Sequence, residues 1–177
     1  MIPSLAGKLL RMDCYAKTSL LLLILASILF TLSLITYSWF ELPGIAWYGP
    51  LWAKFCDNLG ECHYIPAFFT KEPVFYHVLQ LMCMFSVAAI NGAIYLLLVE
   101  KADLKISRWF RKTKGQSIAM ICFMSAFAVS GSLYLFYHII DDFPREAGIY
   151  PEMHWAAMLA SLSCGLQFMA GLFMLNS

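Results

Sequence analysis

Cys56 and Cys62 are the residues whose type and spacing point most directly to chemistry, and the chemistry is covalent closure of a short hairpin. Between them runs the turn-prone Asp57-Asn58-Leu59-Gly60, and a cross-strand pair of thiols at the ends of such a turn is placed to oxidise. Two free thiols in a loop is the competing reading, and it weakens if this stretch lies in an oxidising compartment. The other four cysteines differ. Cys83, Cys122 and Cys164 sit in apolar runs and read as small packing residues, while Cys14 stands just before an apolar segment, next to Lys17, as a candidate for reversible lipidation. His63, His77, His138 and His154 have spacings that match no metal motif, so neither a metal nor a cofactor is expected.

The elements that must position the cysteine pair are membrane spans. The 177 residues are 61% hydrophobic and only 13% charged, well below the quarter or so that soluble chains carry. Mean hydropathy is +0.70. Four apolar runs divide the chain into a single four-span unit: span one at 19–37, span two at 74–99, span three at 116–138 and span four at 154–175. The first run is longer than the core of a signal peptide and no small-x-small site follows it, so an uncleaved anchor is expected.

Charge sets the orientation. Segments 1–18 and 100–115 hold nine of the Lys and Arg residues, whereas 38–73 and 139–153 hold three. Acids divide three to eight in the opposite sense. The positive-inside rule therefore predicts both termini cytoplasmic, with 38–73 and 139–153 as outer loops and 176–177 as a cytoplasmic end. No Asp, Glu, Lys or Arg falls within the four runs, which argues against an intramembrane proton relay or ion path and against an enzyme. Asn91 and Gln167 are the deepest polar residues, expected as interhelical hydrogen-bond partners. Ala88 with Gly92, Ala128 with Ser132, and Ala157 with Ser161 and Gly165 mark faces where helices are expected to approach closely.

The first outer loop, at about 36 residues, is far longer than the second, at about 15. It carries Trp39, then Gly49-Pro50-Leu51-Trp52, then Cys56 and Cys62. In this order the chain resembles the claudin, epithelial membrane protein and peripheral myelin protein superfamily, whose mark is a tryptophan followed by Gly-Leu-Trp and two cysteines. Trp39 matches the first tryptophan, and Gly49, Leu51 and Trp52 match the Gly-Leu-Trp element, here with Pro50 inserted. Three residues rather than two separate Trp52 from Cys56, and Lys71-Glu72-Pro73 stands where the family carries an arginine.

The resemblance implies an all-α membrane protein, a four-transmembrane-helix bundle with a small extracellular antiparallel β-sheet built mostly from the first outer loop. Leu51 and Trp52 are then expected to pack as an apolar plug between the sheet and the bilayer surface. It further implies a non-enzymatic plasma-membrane protein acting as membrane organiser or accessory subunit of a channel or receptor. The chain runs out at Leu175-Asn176-Ser177, with no tail to tether to a scaffold, which favours that expectation over a standard junction strand. The alternative is a cell–cell adhesion or paracellular pore-forming protein, in which Asp57, Glu61 and Glu72 would contact a partner or favour cations. Expected partners are other membrane proteins, the lipid bilayer and further copies of the chain, with no nucleic acid.

Overall fold

The computed structural model describes residues 13–44, 46–56, 61–66, 74–101, 115–142 and 150–176. Four long helices, α1 (Cys14–Ile35), α2 (Val74–Lys101), α3 (Gly115–Asp142) and α4 (Trp155–Leu175), account for most of it. Each is long and apolar enough to cross a membrane, and the chain is a multi-pass membrane protein. The helix α1 starts earlier than the apolar run alone predicts, so that Lys17 lies in its first turns and Cys14 opens it, exposed.

The helices close into a ring in which α1 packs against α4, α4 against α3, α3 against α2, and α2 back against α1. The α1/α4 seam shows how a uniformly apolar helix selects one face. Three serine hydroxyls cross it to backbone carbonyls: Ser19 to Ala170 at 2.9 Å, Ser163 to Ala26 at 2.8 Å and Ser33 to Ala156 at 2.7 Å. On both helices these positions recur every seven residues, so each hydroxyl meets an alanine of the antiparallel neighbour. All six are fully buried. Alanine opposite serine lets the backbones come close enough for the bond, and a seven-residue repeat winds helices left-handedly. Across the α2/α3 contact, Ser86 and Ser125 share a hydroxyl pair at 2.7 Å.

The glycines singled out by spacing lie elsewhere. A Cβ added at Gly92 or Gly165 meets nothing within 4 Å, and Ala88 and Ser161 are exposed. Gly92 and Ala88 line a groove of about 540 Å³ between α2 and α3, and Gly165 lines one of about 610 Å³ between α3 and α4. Close approach uses the serine and alanine seam instead, with Ala128, Ser132 and Ala157 buried as expected. Gln167 is also fully buried and donates to Ser163 Oγ at 3.1 Å, whereas Asn91 is exposed and accepts from Ser27 of α1 at 3.4 Å.

Five short strands form one antiparallel sheet: β1 (Phe40–Leu42), β2 (Ala46–Tyr48), β3 (Trp52–Cys56), β4 (Cys62–Pro66) and β5 (Glu152–Met153), in the order β4-β3-β2-β1-β5. Four come from the segment between α1 and α2, and the edge strand β5 comes from the segment before α4. The sheet therefore closes over both inter-helix segments on this side rather than over the first alone. Gly44, at φ +75°, supplies the left-handed residue that the turn between β1 and β2 requires.

Candidate functional site

The sheet is fixed to the bundle through Trp39. Its ring is fully buried and stands edge-on to Phe136 of α3, with centroids 5.7 Å apart. Its indole N–H donates to the Ser33 carbonyl at 2.9 Å, in the last turn of α1, where carbonyls have no helical partner. Thr36 Oγ1 donates to the same oxygen at 3.0 Å. The main chain of Trp39 then does two further things: its N–H bonds the Tyr48 carbonyl, and its carbonyl accepts from the His154 N–H. The adjacent Ser38 carbonyl takes the Ala156 N–H in the first turn of α4. One buried tryptophan thus joins the end of α1, strand β2 and the start of α4.

A second attachment comes from the tip of the β2–β3 hairpin. Gly49 lies so close to the Thr36–Tyr37 backbone that an added Cβ would sit 2.8 Å from Tyr37 Cα and closer still to the Thr36 carbonyl oxygen. Only glycine fits there. The Gly49 carbonyl accepts from Tyr76 Oη at 2.6 Å, and the Pro50 carbonyl accepts from Gln80 Nε2 at 3.0 Å, which docks the tip on α2. Leu51 packs against the buried cluster that contains Trp39, Phe40 and Phe136. Trp52 does not join it. The pleat turns Trp52 the opposite way to the buried Ala53, and 41% of it is exposed.

Cys56 and Cys62 are directly opposite in the β3–β4 register and form the expected disulfide, with Cα atoms 4.1 Å apart. Glu61 is exposed beside it, whereas Asp57 and Glu72 lie outside the described residues. Register also aligns Glu152, Glu41, Trp47, Lys54 and Tyr64, one from each strand, in a single row across one face. Lys54 Nζ sits 4.7 Å from the Trp47 ring centroid, 5.6 Å from that of Tyr37 and 5.7 Å from that of Tyr64. These distances are those of cation–π contacts. A hydrogen bond with Tyr64 raises the Tyr37 phenol above its ordinary pKa, with burial and the neighbouring phenol's charge adding in the same direction. At the other end of the row, His154 Nε2 stands 3.7 Å from Glu41 Oε2, an ion pair when the imidazole is protonated.

Sequence reasoning placed Trp39, Gly49, Leu51, Cys56 and Cys62 at the sheet and missed Phe136, Tyr76, Gln80 and Lys54. Phe136 is the buried centre of the attachment, with Trp39, Phe40 and Tyr76 rings all within 6 Å of it. Its position on α3, one aromatic among several near the helix end, carried no signal of that. Among the described residues, no three His, Cys, Asp or Glu side chains gather as a metal would need. Cys14 keeps its sulfur exposed, open to modification, and nothing further in the structure bears on lipidation. A scan against known protein families finds no match, and a search of curated proteins likewise finds none.

Proposed function

We propose that this chain is a non-enzymatic, claudin-like four-span protein of the plasma membrane, working as a membrane organiser or accessory subunit of a channel or receptor complex. The sheet, on the outer side in this reading, is the contact element, and the helix faces bearing the two apolar grooves are a secondary one. The observation that carries the reading is the double attachment of the sheet: Trp39 and Gly49 hold it to the bundle while Trp52 and Tyr64 stay 41% and 57% exposed. Tryptophan and tyrosine on a pre-organised surface are the residues that carry binding energy when a partner buries them. A disulfide at the end of the β3–β4 hairpin holds that surface in shape.

The test is affinity purification of tagged protein from native membranes in mild detergent, with wild type beside Trp52→Ala and Cys56→Ser. A defined membrane protein recovered with wild type and lost with both variants, while insertion persists, supports the reading. Equal recovery from all three proteins contradicts it.

A further inference from the structure

The charged row across the sheet is complementary to itself. Glu41 and Glu152 are directly opposite on β1 and β5, and like charges so placed repel. A cation beside them offsets that repulsion, and among the described residues His154 stands 3.7 Å from Glu41, charged only when protonated. Lys54, the lysine of the row, lies two strands from Glu41, roughly 10 Å between backbones at ordinary strand spacing. Its ammonium lies over the Trp47, Tyr37 and Tyr64 rings, and among the described residues the ion-pair partner of Glu41 is His154. Trp47 stands midway between Glu41 and Lys54.

We propose that this face is an interface between two copies of the chain, related by a two-fold axis through Trp47. Turning a second copy about that axis reverses the row, so Lys54 of each copy meets Glu41 of the other and the pairing occurs twice. An interface of this kind, the same patch on both partners, is how symmetric dimers form. The three rings around Lys54 hold its ammonium in place beforehand, which removes much of the ordering cost of a lysine contact. Trp52, two residues from Lys54 on the same face, adds exposed aromatic area beside the pairs. The dimer needs no foreign partner, so purified protein alone tests it and its failure leaves the accessory reading standing.

The experiment measures energy transfer between donor- and acceptor-tagged full-length protein in mild detergent, using Lys54→Glu and Glu41→Lys. Wild-type copies are expected to associate, more weakly as salt rises. Each variant is expected to lose about ten-fold in self-association, because both cross-pairs become repulsive. Mixing the two variants restores both pairs, one as in wild type and one with its charges exchanged, and is expected to bring association back. If one variant folds poorly, K54E/E41K in a single chain provides the same test, since complementarity returns within it. Wild-type copies that stay apart, single variants that associate like wild type, a well-folded mixture that stays apart, or a well-folded double variant that does not associate would each overturn the dimer. So would capture of an unrelated acidic chain at Lys54 by a protein that is itself monomeric.

Discussion

Gly49 and Trp39 act at the scale of single atoms, and their substitutions separate two kinds of damage. Gly49→Ala drives a methyl group into the Thr36–Tyr37 backbone, which is less able to yield than a side chain. The expected cost is about 1–3 kcal/mol, read as a lowered unfolding temperature in detergent. Trp39→Phe keeps an aromatic ring against Phe136 but removes the indole donor, leaving Thr36 as the side chain that still bonds the Ser33 carbonyl. A loss of about 1 kcal/mol is expected, against about 3–5 kcal/mol for Trp39→Ala, where the buried volume goes too. Equal losses for the two would show that the hydrogen bond, not the packing, anchors the sheet. At this scale the sequence was informative where a residue type is nearly unique. Two cysteines six positions apart pointed to their bridge, whereas Trp39 and Gly49 stood out as matches to a family pattern and their part in holding the sheet came from the structure. Lys54 was not legible, because its aromatic neighbours come from three separate stretches of chain that only the register brings together.

Among the elements, the four helices were easy to find and their inward faces were not. Lipid is as apolar as the bundle interior, so hydrophobic periodicity does not mark the inside of a membrane helix. What marks it in α1 and α4 is the seven-residue recurrence of serine facing alanine. Spacing of small residues alone pointed as strongly to Gly92 and Gly165, which face open grooves. The difference is testable on one helix. Ser163→Leu places a large side chain on the α1/α4 seam and is expected to abolish the folded bundle or lower its unfolding temperature sharply. Ser161→Leu, on the exposed side, is expected to leave it nearly unchanged. Ser163→Ala, which removes the bond to Ala26 and the acceptor of the buried Gln167 amide, is expected to cost about 1–2 kcal/mol. Strand β5 was illegible for another reason: two residues, Glu152 and Met153, have no periodicity, and their strand exists only because β1 offers them an edge.

For the whole molecule, the structure separates into a seamed bundle and a sheet tied to it at two points, and the disulfide belongs to the sheet. Closing so short a loop stabilises by about 2 kcal/mol, which is local. Reduction, or Cys56→Ser, is therefore expected to speed hydrogen exchange at β3 and β4 amides while those of α1 and α4 keep their protection. Uniform loss of protection would mean that the bridge supports the bundle as well. Four spans and two unequal connecting segments followed from composition and the spacing of apolar runs, and a sheet in the longer segment was expected from the resemblance alone. The way the sheet is held followed from contacts between residues far apart in the chain, such as Gly49 with Tyr76 and Trp39 with His154.

The measurement that bears most directly on the central claim is site-specific photo-crosslinking in native membranes, with the crosslinker placed in turn at Tyr64 on the sheet and at Tyr95 in the α2/α3 groove. The account predicts that the Tyr64 position captures protein, either a distinct membrane partner or a second copy of this chain, and that the Tyr95 position yields much less. Capture of protein from Tyr95, with none from Tyr64 in a correctly folded and inserted chain, would contradict it.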